Sequence, residues 1–159
     1  MGFFTADMCD EYPDQTEVLG PKFSSYGGNR KFSGEIVTVK LDKNNKVLAE
    51  YLKNNDGHNK VVVVDVEEKY FAVVGDNLMK FASDNKFEGI IVNGYVRDTV
   101  TTKEFDLGLY AKGTCPRKYI PVQDGEIGVD INIDDVEIKN GDYIYVDQDG
   151  IVITKEKIV

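Results

Sequence analysis

An α/β fold, with parallel βαβ units followed by a C-terminal antiparallel meander, is predicted by three features of this 159-residue chain. KVVVVDV at 60–66 is a short, continuous apolar run of the kind that is buried on both faces of a parallel sheet. Helical periodicity stands on either side of it, in NNKVLAEYLKNN before and DNLMKFA after. Beyond Gly113 the texture changes to short period-two segments, VDINI, DVEI, DYIYV and GIVI, separated by the turn sequences DD, NGD and DQDG. With 42% hydrophobic and 30% charged residues the chain can bury one substantial core, so a single domain over 1–159 is expected.

Taken in order, TADMCDEY places Met8 and Tyr12 one helical turn apart behind Thr5, an N-cap residue type, and Pro13 closes that helix. A loop rich in Gly, Ser and Pro follows. Residues 35–41 alternate and are β-branched, which predicts a strand. Val47, Leu48, Tyr51 and Leu52 then share one helical face until NNDG turns the chain. After the valine run, KYFAVV predicts a short strand. Asp76 is read as the N-cap of a helix carrying Leu78, Met79, Phe81 and Ala82, and GIIVNG as another buried strand. Two strand–helix–strand units in succession favour a parallel sheet with right-handed crossovers.

Composition excludes several kinds of function. The 19 basic and 28 acidic residues give a net charge of −9, the wrong sign for holding a polyphosphate, so neither direct nucleic-acid binding nor attachment to an anionic membrane is expected. One histidine, His58, cannot make a two-imidazole metal site, and it lies in a turn. Cys9 and Cys115 cannot build a zinc ribbon or a disulfide scaffold. Asp7, Asp10 and Glu11 interrupt the first turns and no apolar run approaches the ~20 residues of a membrane span, so a cytoplasmic protein with reduced thiols is expected. DQDG lacks the remaining ligands of a calcium loop and is read as a hairpin turn.

Open α/β sheets bind ligands outside the carboxyl ends of their strands. Three such ends qualify, the first at Asp65 and Val66 of KVVVVDV, and two stand out: Gly75, Asp76, Asn77 and Leu78 after KYFAVV, and Arg97-Asp98 after GIIVNGYV. Together they supply a glycine-led helix N-terminus, a guanidinium and two carboxylates. Helix amides and an arginine fork select a carboxylate, while a hard oxygen ligand such as Asp98 selects Mg²⁺ or Mn²⁺. Mg²⁺ keeps most of its waters and accepts a single protein carboxylate.

Asp76, twenty intervening residues and Arg97-Asp98 resemble the signature of the RraA-like family, which unites regulators of ribonuclease E activity with metal-dependent 4-hydroxy-4-methyl-2-oxoglutarate aldolases and oxaloacetate decarboxylases. The likeness extends through TADMCDEYPD, PKFSSYGG, SGEIVTVK, GDNLMKFA, FEGIIVNGYVRD, EFDLGLYAKG and GDYIYVDQDGIVI, almost the whole chain. It implies a β/β/α swivelling-type domain assembled into a homotrimer with sites near subunit interfaces. By the same resemblance, Gly75, Asp76, Asn77, Leu78 and Arg97 bind a small 2-oxo acid, Asp76 and Arg97 are catalytic, and Asp98 holds the divalent cation. The implied activity is a pyruvate-forming carbon–carbon lyase. The alternative is a protein-binding regulator of ribonuclease E or its degradosome partners, and retention of both acidic signature residues favours the enzyme. The chain departs from many relatives at Glu67 and Glu68, where they carry glycines; two carboxylates are thereby added beside an anion site. A menaquinone methyltransferase label used in the family finds no support, since no Gly-x-Gly-x-x-Gly follows a strand.

Overall fold

The computed structural model describes residues 2–118 and 125–159. After α1 (Thr5–Glu11) and two-residue strands β1 (Glu17–Val18) and β2 (Ser24–Ser25), the chain runs through β3 (Phe32–Lys40), α2 (Lys46–Asn54), β4 (Lys60–Asp65), β5 (Ala72–Val74), α3 (Asp76–Asp84), β6 (Gly89–Val96), α4 (Thr99–Thr102) and β7 (Gly108–Thr114). It finishes with β8 (Glu126–Ile127), β9 (Ile131–Ile133), β10 (Val136–Ile138), β11 (Tyr143–Asp147) and β12 (Gly150–Thr154). The main sheet runs β1-β12-β11-β3-β4-β6-β7-β2. Neighbours from β3 to β7 are parallel, and β11, β12, β1 and β2 are antiparallel to their neighbours. The fold is therefore mixed α/β, as the sequence predicts.

The valine run shows why the parallel strands read as unbroken apolar segments. Val62 and Val64 face a core closed by Leu48 and Leu52 of α2 and by Leu78, Met79 and Ala82 of α3. Val61 and Val63 face a second core closed by Ile131, Ile133, Val136 and Ile138. All four valines have no exposed surface, so each face contributes its own hydrophobic stabilisation, about 1.5–3 kcal/mol per fully buried aliphatic side chain.

The structure corrects three local expectations. The C-terminal meander is divided: β9 and β10 form their own hairpin, turning at Asp134 and Asp135, both at positive φ, whereas β11 and β12 extend the main sheet. Thr5 is the first helical residue of α1, not its cap; Phe4 holds the cap position, and the terminus is closed by Asp147, 142 residues away, which accepts from the Thr5 N–H at 2.8 Å and its hydroxyl at 2.6 Å. Likewise Gly75, not Asp76, occupies the cap position of α3. In both cases a remote carboxylate replaces the local side chain that the capping preference anticipates.

The third crossover, β6–α4–β7, leaves no helical signature in the sequence, because TVTT is too short to show periodicity. Its place in the sheet matters. β4 pairs with β6 over Gly89 to Asn93, and β5 pairs with β6 further along, at Tyr95 and Val96. The carboxyl ends of β5 and β6 therefore emerge together, with α3 leaving from one and α4 from the other.

Candidate functional site

The residues singled out in sequence converge on that shared end. The Arg97 N–H donates to the Val74 carbonyl at 2.9 Å, which fixes Arg97 beside the β5–α3 junction. Asp98 then takes a left-handed backbone conformation, φ 59° and ψ 36°. Aspartate tolerates this conformation better than most residues, and here it does two jobs. The Asp98 carbonyl accepts from Thr101 and Thr102 at 2.9 Å each, starting α4. Its carboxylate turns back to α3, where Oδ2 accepts the Asp76 N–H at 3.1 Å.

Gly75 is dictated by this approach. A Cβ at that position would stand 2.5 Å from Asp98 Oδ2 and 3.4 Å from Arg97 Cγ, so any side chain would push the carboxylate away. The helix start is left partly open. The Met79 N–H bonds to the Gly75 carbonyl at 3.2 Å and Asp76 is served by Asp98, while the N–H groups of Asn77 and Leu78 have no backbone or side-chain acceptor among the described residues. Two aligned donors at the positive end of a helix form a ready anion seat.

Arg97 is loosely tethered, 3.5 Å from the Pro116 carbonyl through Nη1 and 4.0 Å from Asp98 Oδ2 through Nε. Its side chain and that of Asp98 are each 38% exposed. Asp98 Oδ1 has no hydrogen bond to any described residue, and Asp76 and Asn77 are exposed. The set is an open shelf. It stands apart from the concavity of about 550 Å³ lined by Tyr12, Glu17, Lys155 and Ile158, among others.

Among the described residues no three His, Cys, Asp or Glu side chains gather as a metal cage. The donor set at Asp98, one carboxylate with an uncommitted oxygen, suits a hard and largely hydrated cation such as Mg²⁺, not a zinc-type cage.

Glu67 and Glu68 sit in the loop between β4 and β5 at φ 55° and 58°. This is the left-handed region that favours glycine, so the loop keeps a glycine-type path despite its side chains. The carboxylates are engaged elsewhere: Glu67 with Lys69 at 3.3 Å and Lys40 at 3.6 Å, Glu68 with Lys112 at 3.3 Å. Lys112 is itself almost buried, 4% exposed, and is held by Asp134 at 2.6 Å. The expected like-charge repulsion beside the anion seat is thus muted by three lysines.

Sequence reasoning missed the strand-end segment 115–117, which crosses against the site. The Cys115 N–H donates to the Val96 carbonyl at 3.0 Å and the Arg117 carbonyl accepts from Ala72 at 2.8 Å. His58, by contrast, remains an exposed turn residue 3.3 Å from Asp56, and Cys9 and Cys115 are free thiols. Among the described residues no helix is long and apolar enough to cross a membrane.

Comparison with known proteins identifies the family and the fold. The RraA-like (Aldolase/RraA) family model matches residues 5–153. A protein of Shewanella oneidensis provisionally named 4-hydroxy-4-methyl-2-oxoglutarate aldolase is 40% identical over 153 residues, covering 96% of this chain and 93% of its own. A Hahella chejuensis protein with the same provisional name is 38% identical over 159 residues, covering 99% and 96%. Among solved structures, a Geobacillus kaustophilus protein described as an S-adenosylmethionine:2-dimethylmenaquinone methyltransferase superposes with a TM-score of 0.93 at 34% identity, covering 98% of this chain and 97% of its own. The RNA-processing inhibitor RraA of Thermus thermophilus gives the same TM-score at 30% identity, covering 100% and 96%. With a family model spanning nearly the whole chain and relatives of matching length, the chain belongs to the RraA-like family.

Proposed function

We propose that this protein is a divalent-metal-dependent lyase that releases pyruvate by breaking the carbon–carbon bond adjacent to a 2-oxo acid, with 4-hydroxy-4-methyl-2-oxoglutarate and oxaloacetate as substrates. The observation that carries the proposal is the meeting of two open helix N–H groups, the Arg97 fork and the half-used Asp98 carboxylate at one strand end. Mg²⁺ or Mn²⁺, held by Asp98, would supply Lewis-acid polarisation of the 2-oxo group.

The chain's own residues account for the remaining work. The N–H groups of Asn77 and Leu78, with Arg97, seat the substrate carboxylate. Arg97 also neutralises the charge that develops as the C3–C4 electron pair becomes the enolate of pyruvate. In aldol cleavage the C4 hydroxyl gives up its proton, and in decarboxylation carbon dioxide departs. In both reactions C3 must then gain a proton. Asp76, exposed at the first turn of α3, holds the water that relays these protons. One enolate serves both reactions, so one shelf suffices for both.

In the homotrimeric assembly that the family resemblance implies, a neighbouring subunit would cover the open shelf at Arg97 and Asp98, and the composition supports a cytoplasmic location. The test is pyruvate release from each substrate with Mg²⁺ and after chelation. Metal-dependent turnover well above the solution rate is expected; solution-rate release from both substrates under all conditions would sink the proposal.

The likeness to the Thermus RNA-processing inhibitor favours a second role, binding to ribonuclease E or a degradosome protein. The net charge of −9 suits docking on basic segments of such a partner without contact to RNA. Inhibition of purified ribonuclease E that weakens with added salt is the matching measurement.

A further inference from the structure

The proposed substrates are dicarboxylates, and the shelf described so far seats one carboxylate only. A second cation is needed for the distal one. The chain contains three arginines, Arg30, Arg97 and Arg117, against sixteen lysines, so its basic residues are overwhelmingly point charges and planar forks are scarce. At the shelf the Arg97 fork meets the backbone that carries Arg117.

Arg97 Nη1 lies 3.5 Å from the carbonyl oxygen of Pro116, the residue joined to Arg117. Peptide geometry puts the Arg117 Cα about 3 Å from that oxygen, hence within about 7 Å of the Arg97 guanidinium. The backbone there is pinned from two sides, by Cys115 to Val96 and by Arg117 to Ala72 of β5, the strand that leads into Gly75. The Arg117 side chain is exposed and forms no ion pair or hydrogen bond with the described residues. Arg97, by contrast, is at least partly turned towards Asp98. An unengaged guanidinium has no partner to give up, and its planar fork can meet a carboxylate in two places. In a five-carbon 2-oxo diacid the two carboxyl carbons stand about 5 Å apart, a span that the Arg97 fork and an arginine side chain reaching out from the Arg117 Cα can bracket.

We infer that Arg117 determines substrate class by binding the distal carboxylate of a 2-oxo dicarboxylic acid, while Arg97 and the α3 amides hold the proximal one. This inference rests on the 2-oxo-acid reading of the site. It also carries a chemical consequence. In aldol cleavage of a five-carbon diacid the distal carboxylate stays on the departing pyruvate, so a fork can hold it throughout. In decarboxylation that carboxylate must leave, so a fork binding it strengthens the ground state against reaction. Arg117 therefore tunes the shelf toward diacids that are cleaved, and away from those that lose carbon dioxide.

The experiment is equilibrium binding by calorimetry, in Mg²⁺, of two unreactive probes of equal length: 2-oxoglutarate, and 2-oxopentanoate, which lacks the distal carboxylate. The wild-type protein is expected to prefer 2-oxoglutarate by about ten- to a hundredfold, the range of a charge-assisted pair. In Arg117→Ala the ratio is expected to collapse towards one, Arg117→Lys to keep part of it, and Lys118→Ala to keep it all. Thermal unfolding of each variant checks that the fold is intact. If the wild type binds both probes equally, or Arg117→Ala keeps the preference, or Lys118→Ala loses it as fully, the inference is overturned while the 2-oxo-acid reading stands. If the wild type binds neither probe, the reading fails and the inference with it.

Discussion

The starts of α1 and α3 present the same problem with two different outcomes. Neither helix has a local side-chain cap, and each is closed by an aspartate that follows or ends a strand far away in sequence. Asp147 is 7% exposed, and both oxygens are consumed: Oδ2 by the Thr5 N–H, Oδ1 by the Thr5 hydroxyl and the Asp149 N–H. Asp98 is 38% exposed and gives only Oδ2, leaving Oδ1 uncommitted and two helix N–H groups open beside it. A carboxylate whose lone pairs are all engaged can only hold the fold together. One that is half engaged is fixed in place yet still able to take a ligand, and Asp98 has a left-handed backbone to maintain as well.

The comparison breaks if Asp98 proves as purely structural as Asp147. Asp98→Asn keeps an acceptor for the Asp76 N–H and tolerates the left-handed backbone, but removes the charge. It is expected to lower Mg²⁺-dependent pyruvate release at least about a thousandfold while shifting stability by less than about 1 kcal/mol. A large fall in the melting temperature with activity per folded molecule preserved would put Asp98 on the structural side. Arg97→Lys comes next, since lysine keeps the charge and loses the planar fork; kcat/KM is expected to drop about a hundredfold. Equal efficiency would mean that the guanidinium meets no carboxylate there.

The converse variant is Asp147→Ala. It leaves the Thr5 hydroxyl and N–H without an acceptor, so a loss of about 2 kcal/mol is expected in chemical denaturation, with kcat retained in the folded protein. Acid gives a second handle. Burial raises the Asp147 pKa, but the hydrogen bonds from Thr5, Asp149 and Gly150 outweigh it and hold the carboxyl below its ordinary value of 3.8. A depressed folded-state pKa contributes stability that is fully present above the unfolded value and is lost as pH falls through the folded one. Wild-type stability is therefore expected to fall below pH ~4 more steeply than that of Asp147→Ala. Parallel pH curves for the two proteins would remove Asp147 from the acid response.

Most of the parallel half was legible because burial on both faces leaves unmistakable apolar runs, as in residues 61–64 and 89–92. The site residues were legible as a set because strand ends in such a sheet are where ligands bind. What stayed hidden was set by long-range geometry. Nothing near Thr5 reports that Asp147 will cap it, and Asp76 looks like a cap because the true partner, Asp98, lies in another crossover. Glu67 and Glu68 read as an electrostatic fault because their lysines come from β3 and β7 as well as from the loop itself. Segment 115–117 carried no periodic signal, so its crossing beside Arg97 could not be foreseen.

Glu67 and Glu68 allow the finest test of the rule that an engaged carboxylate does not interfere with the chemistry. Replacing both by glycine relieves two left-handed side-chain positions, worth about 1 kcal/mol each. It also removes ion pairs worth about 0–1 kcal/mol each at such exposure and frees the unfolded chain by a similar amount. Stability is expected to stay within about 1 kcal/mol of wild type. Because Lys40, Lys69 and Lys112 already mute the two charges, KM for oxaloacetate is expected to fall less than about threefold, and the change to vanish as salt screens the freed lysines over ~8 Å. A tenfold gain at low salt would show that the carboxylates reach the anion seat despite their partners. A gain that persists at high salt would place the effect in the backbone, whose path the positive φ values indicate is already the one glycine would take. Melting curves measured beside the kinetics separate either result from a loosened loop, since loosening lowers the unfolding temperature and a purely electrostatic change leaves it almost unmoved.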